Sequence, residues 1–121
     1  KLAAALALEF DRQNRRPALY SQDNTGAEAQ KAGIAVEEVA DFLAACKRDH
    51  GLSPVGLMCI PPADEDPAPH FALLHDLAQR NDLAILSMGM SGDYAAAVRA
   101  GATHVRIGTA IFGIRDYGAR S

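Results

Sequence analysis

No stretch of this chain is apolar for long enough to span a bilayer: a transmembrane helix needs roughly 18 consecutive apolar residues, and none of its hydrophobic runs reaches that length. Basic patches are equally scarce. The formal net charge is -3 and the largest basic cluster is Arg15-Arg16, so the electrostatic footprint of a nucleic-acid binder is missing. Cysteine is limited to Cys46 and Cys59, without Cys-x-x-Cys spacing and without a signal peptide ahead of them. Both are expected to be reduced, buried thiols of a soluble, cytoplasmic protein. His50, His70, His75 and His104 share no ligand spacing, which argues against a metal site. Neither Gly-x-Gly-x-x-Gly nor Gly-Lys-Ser/Thr occurs, so the common dinucleotide and nucleoside-triphosphate fingerprints are excluded. No Ser/His/Asp or Cys/His constellation can be assembled from sequence order alone.

What is present is globular composition, 49% apolar and 22% charged residues in a chain of 121. That length allows one domain and falls short of a closed α/β barrel, which usually needs about 250 residues. Apolar periodicity predicts helices over Leu2 to Arg15, Val36 to Arg48, Phe71 to Asn81 and Tyr94 to Ala100. Apolar runs predict strands over Ala18 to Gln22, Val55 to Ile60, Leu83 to Met88 and His104 to Ile107. Asp23-Asn-Thr-Gly26 reads as a turn, the Pro61 to Pro69 stretch as an extended loop, and the end as a short helix or coil. Strands alternating with helices imply a parallel sheet with right-handed crossovers. Four such units amount to half of an eight-stranded (β/α) barrel. The chain opens on Lys1-Leu-Ala-Ala-Ala-Leu, already inside a helical pattern and without an initiator Met, which leads us to expect a C-terminal half-barrel over residues 1–121.

Two segments carry the chemistry. Leu86-Ser-Met-Gly-Met-Ser-Gly-Asp93 and Val105-Arg-Ile-Gly-Thr-Ala-Ile-Phe-Gly113 each run from an apolar strand into a small, hydroxyl-bearing glycine turn. Backbone N–H groups are free where a strand gives way to a helix, and glycine lets an anion approach them, so Ser91-Gly92 and Gly108-Thr109 form two halves of a candidate phosphate site. In barrels the loops after the seventh and eighth strands often hold phosphate. The plainer alternative is a pair of capping turns, with Ser91 or Asp93 as N-cap. Arg106 stands in an otherwise apolar strand, where its guanidinium either faces a ligand or snorkels to solvent. Lys31 reads as a solvated lysine beside Asn24 and Thr25, and Asp64, Glu65 and Asp66 as a solvated acidic loop.

Gln22-x-Asn-Thr-Gly26 with Gln30-Lys-Ala-Gly-Ile34, then Gly56-Leu-Met-Cys-Ile-Pro-Pro62, Leu86-Ser-Met-Gly-Met-Ser91 and Val105-Arg-Ile-Gly-Thr-Ala-Ile-Phe-Gly113 resemble the pyridoxal phosphate homeostasis family, YggS in bacteria and PROSC in animals. The resemblance runs in order from about Leu2 to Tyr117. It implies the α/β fold of the alanine racemase N-terminal-domain barrel, here its C-terminal half with four parallel strands. It also implies pyridoxal 5′-phosphate as cofactor, bound as a Schiff base in the family, and a carrier or regulator of the cofactor pool without established turnover. Carried over position by position, Ser91 and Gly92, with Ser87 nearby, and Gly108 with Thr109 would hold the phosphate. Arg106 would face the pyridine nitrogen, and Met58 and Asn24 would lie near the ring. An arginine at that nitrogen discourages its protonation and suits storage better than carbanion chemistry.

Two departures stand out. The family's Schiff-base lysine lies on the first barrel strand, and neither Lys1, Lys31 nor Lys47 matches it. Asp23 occupies a position where the family usually has an apolar residue, so the strand that carries it is expected to be displaced or exposed. The expected partners are a small-molecule cofactor and either a second copy of the chain or the other barrel half, with no nucleic acid and no membrane. Two other readings stay open: half of a pyridoxal-phosphate-dependent barrel racemase or decarboxylase, and a truncated fragment without function.

Overall fold

A computed structural model describes residues 1–29 and 32–115. Lys31 therefore lies outside the described residues. In chain order the elements are α1 (Leu2–Gln13), β1 (Tyr20–Asn24), β2 (Ile34–Ala35), a 3₁₀ turn (Val36–Glu38), α2 (Val39–His50), β3 (Gly56–Met58), α3 (Ala68–Arg80), β4 (Ile85–Ser87), α4 (Tyr94–Arg99) and α5 (Thr109–Phe112).

The strands form one parallel sheet in the order β2-β1-β3-β4. Register is set across it: Ser21 pairs with Leu57 and Leu57 with Leu86, while Gln22 pairs with Met58 and Met58 with Ser87. Because side chains alternate along a strand, Leu57, Cys59, Leu86 and Met88 share one face, and they are buried in a cluster with Val39 of α2 and Phe71, Leu74 and Leu77 of α3. The spacing of these α3 residues, three and four apart, is that of an amphipathic helix laid on a sheet. Phe71 and Leu74 are fully buried, and each such side chain contributes about 1.5–3 kcal/mol. A second cluster, Phe10, Cys46 and Leu52, joins α1 to α2.

Helix α1 ends at Gln13 rather than Arg15, because Asn14 adopts the left-handed conformation (φ 53°, ψ 46°) and its N–H bonds back to the helix. Helix α3 starts three residues ahead of the predicted Phe71, with Pro69 in its first turn, where a missing N–H costs nothing.

The parallel sheet has four strands as expected, but not the same four. Strand β1 runs two residues past Gln22 and takes in Asp23 and Asn24, which the sequence assigns to a turn. The two-residue β2 was not foreseen, and it pairs Asp23 with Ile34. The predicted strand at His104 to Ile107 reduces to one parallel bridge, His104 to Ser87. The cause is local: the Thr103 hydroxyl accepts the N–H of Leu86 at 2.8 Å, a donor that a regular ladder would use. Asp23 also overturns the expectation of a displaced or exposed strand, since it is 2% exposed within a paired strand.

Candidate functional site

The C-terminal ends of β3 and β4 open into a cleft of about 390 Å³, walled on one side by Cys59, Pro61, Pro62 and Glu65 and on the other by Gly89, Gly92 and Asp93. Gly89 builds the second wall. Its φ of +101° suits glycine, and a Cβ there would lie 2.6 Å from the Cβ of Ala97, so the absent side chain lets α4 close against the end of β4. The turn that follows satisfies itself: the Met90 N–H donates to Asp93 Oδ1 at 2.7 Å, and the Tyr94 N–H to the Met90 carbonyl at 2.9 Å.

Asp93 is the N-cap residue of α4 without a side-chain cap bond, and Ser91 does not cap α4 either. Instead its hydroxyl reaches across to the other glycine turn, accepting the N–H groups of Gly108 at 3.2 Å and Ala110 at 3.0 Å. The two turns named from the sequence therefore meet, and Ser91 caps the short α5. At Gly92 and Gly108 a Cβ would meet nothing within 4 Å, so both backbones face open space. Thr109, the first residue of α5, is exposed next to them. The Ser91 hydroxyl, the N–H groups it accepts and the open space at the two glycines thus lie together at this end of the sheet.

Arg106 extends the site toward β3. Its Nη2 donates to the Cys59 carbonyl at 3.0 Å, while its Nε is buried without a partner. The guanidinium is thus fixed against a backbone oxygen at the cleft wall and does not snorkel to solvent. Ser87, buried, and Met58, half-buried, are register partners at the ends of β4 and β3. Asn24 is committed elsewhere: its Nδ2 donates to the Glu28 carbonyl at 2.7 Å and its Oδ1 accepts the Glu28 N–H at 3.2 Å, closing the loop after β1.

Sequence reasoning missed a polar chain behind the cleft wall. His70 is 8% exposed; its Nδ1 lies 3.1 Å from Thr25 Oγ1 and its Nε2 3.0 Å from Glu65 Oε1. Glu65 belongs to an acidic loop that the sequence leads one to expect solvated, yet it is tied to a buried imidazole. Its only sequence signal is the position of His70 one residue before the apolar Phe71, on the flank of the buried face of α3. Burial pushes the Cys59 thiol up to about 12 despite the nearby charge of Arg106. Cys46 and Cys59 are both free and buried. Burial likewise raises the Asp23 carboxyl to about 7, against the opposing effect of a hydrogen bond from Ser21. Among the described residues no helix is long and apolar enough to cross a membrane, and no group of three or more His, Cys, Asp or Glu could hold a metal ion.

The family model described as alanine racemase, N-terminal domain, matches residues 2–116. The pyridoxal phosphate homeostasis protein of Pseudomonas aeruginosa is 48% identical over 103 residues, covering 81% of this chain and 45% of that protein. Its counterpart in Vibrio cholerae is 42% identical over 123 residues, covering 93% and 52%. The solved structure of PipY from Synechococcus elongatus without PLP superposes with a TM-score of 0.80 at 31% identity, over 93% of this chain and 57% of that one. PipY with PLP bound gives 0.76 at 30%, over 93% and 56%. The chain spans about half the length of the curated relatives it matches, and its four parallel strands form part of a TIM-barrel-like fold.

Proposed function

This chain belongs to the alanine racemase N-terminal-domain family, and from that premise we propose that it binds pyridoxal 5′-phosphate through the phosphate and serves cofactor homeostasis without turning a substrate over. The observation that carries the proposal is the junction of the two turns, with Ser91 Oγ within hydrogen-bond distance of the N–H groups of Gly108 and Ala110. Donors already gathered around one hydroxyl oxygen can serve the oxygens of a phosphate, and open space at Gly92 and Gly108 leaves room for it. Ser91, Gly92, Gly108 and Thr109 take the phosphate in this reading, with Ser87 beneath them.

Bound pyridoxal phosphate supplies an electron sink whose strength depends on protonation of its ring nitrogen. Arg106, a permanent cation at the cleft wall, opposes that protonation and favours holding over turnover. Met58 takes the ring side at the neighbouring strand end. Asn24 orders the loop beyond it, because both ends of its amide are engaged with Glu28. Among the described residues neither Lys1 nor Lys47 lines the cleft, and what these residues supply in this reading is the set of phosphate contacts. In this reading residues 1–121 make up four βα units of a barrel whose remaining wall comes from further barrel sequence or from a second copy. Two unpaired buried cysteines suit a cytoplasmic setting.

Titration with inorganic phosphate or pyridoxal phosphate, followed by backbone amide NMR, tests the cradle. The signals of Ser91, Gly92, Gly108 and Thr109 should move together, and Gly108→Val should remove the response. A Cβ at Gly108 meets nothing within 4 Å, so the variant introduces no clash, and an unchanged far-UV spectrum should accompany the lost response. Four indifferent amides in the folded protein would end the phosphate reading.

A further inference from the structure

The geometry points to His70 as a positioning residue: by bridging Thr25 and Glu65 it fixes the proline wall of the cleft, and so the space available to the non-phosphate part of a bound molecule. The inference deepens the cofactor reading and rests on it for the identity of the ligand, while its structural half stands alone.

The wall is a loop anchored at both ends. Cys59 anchors its start through an N–H bond to the Ser87 carbonyl at 3.3 Å and through the contact of its own carbonyl with Arg106. Its end is anchored where the Ala68 N–H meets Asp66 Oδ1 at 3.0 Å and the Phe71 N–H meets the Pro67 carbonyl at 3.1 Å. Between these anchors stand Pro61 and Pro62, which have no N–H to donate, and the Glu65 N–H turns inward to the Pro62 carbonyl at 3.3 Å. Glu65 then ties the middle of the loop to His70.

His70 is well placed to bear that load. It sits in the first turn of α3, whose next residues Phe71 and Leu74 are fully buried against the sheet. Both ring nitrogens are engaged, and chemistry orients the chain. A carboxylate only accepts, so Nε2 carries the proton toward Glu65. In the neutral ring Nδ1 is then the acceptor for the Thr25 hydroxyl. That hydroxyl belongs to the loop after β1, where Gly26 approaches Pro62 so closely that a Cβ would lie 2.5 Å from Pro62 Cγ. Two loops from neighbouring strands are thereby pinned to one rigid helix through one imidazole. The phosphate cradle lies across the cleft and shares none of these bonds.

That separation makes the inference testable. His70→Leu keeps volume and packing but removes both hydrogen bonds, and His70→Gln restores one donor and one acceptor. In the full chain, His70→Leu should raise amide exchange at Glu65, whose N–H bonds the Pro62 carbonyl, about tenfold and weaken pyridoxal phosphate about tenfold. One charge-assisted hydrogen bond has that magnitude. Inorganic phosphate, read at Gly108 and Thr109, should bind unchanged, and His70→Gln should recover most of both losses. Glu65→Ala, at an exposed site, should give a partial version of the same pattern and covers the case in which His70→Leu fails to fold. Unchanged exchange at Glu65 would overturn the inference, as would equal loss of both ligands, the mark of a general structural defect. Failure of the wild-type chain to bind either ligand would count against the cofactor reading alone, with the exchange rates still deciding whether His70 fixes the wall.

Discussion

The Asp23 carboxyl accepts one hydrogen bond, from Ser21 Oγ at 2.9 Å, and its other oxygen is buried without a partner. Burial raises it from 3.8 to about 7, so between those values the folded chain keeps a proton that the unfolded chain has released. Stability from this group is therefore complete below about pH 4, falls as pH rises toward 7, and is flat above. Between about pH 5 and about pH 8 the difference amounts to roughly 2–3 kcal/mol. Asp23→Asn, which keeps an acceptor for Ser21, should remove this slope, so urea unfolding should favour the variant over wild type at pH 8 far more than at pH 5. Parallel pH profiles for the two proteins would refute it. Ser91 makes the second residue-scale case. Ser91→Ala strips the acceptor from the N–H groups of Gly108 and Ala110, at about 1 kcal/mol for a lost cap. The loss should appear as faster amide exchange confined to 108–112, with the global unfolding midpoint scarcely moved.

At the scale of elements, periodicity in the sequence locates helices well and strands only loosely. The burial spacing of Phe71, Leu74, Leu77 and Ala78 is visible in the sequence because one helix face repeats by itself. Strand ends depend on partners. Asn24 extends β1 because Ala35 lies beside it, and Thr103 shortens the last strand because its hydroxyl takes the Leu86 N–H. Neither partner is near in sequence. Glycine at element ends supplies a graded test. Gly51 ends α2 at φ +65° with open space where a Cβ would go, whereas Gly89 combines φ +101° with a 2.6 Å approach to Ala97. Gly51→Ala should cost about 1 kcal/mol, the conformational penalty alone. Gly89→Ala should cost about 3 kcal/mol or more, because overpacking between β4 and α4 adds to it. Equal losses in denaturant titrations would show that the close contact with Ala97 carries no weight.

For the molecule as a whole, α2 and α3 cover the sheet face that carries Leu57, Cys59, Leu86 and Met88, while Tyr20 and His104 pack ring against ring on the opposite face, at a centroid distance of 6.1 Å, and stay exposed. Ile111, Phe112 and Ile114 add apolar surface, at 68%, 84% and 92% exposure. Exposed large apolar side chains of this kind favour association, so the chain should self-associate at micromolar concentration, and Phe112→Asp should shift it toward monomer. Sedimentation of a compact monomer at those concentrations would refute this. The sequence alone determined the alternation of helix and strand, the parallel sheet, the two glycine turns and the family to which they belong, because each is written in neighbouring residues. Only tertiary structure decided that Ser91 bonds to the other turn and that Arg106 lies against Cys59. It also decided that Asp23 is buried and that Glu65 is bound to His70. Those outcomes depend on which side chains meet across the sheet, and that is set by register and packing between segments distant in the chain.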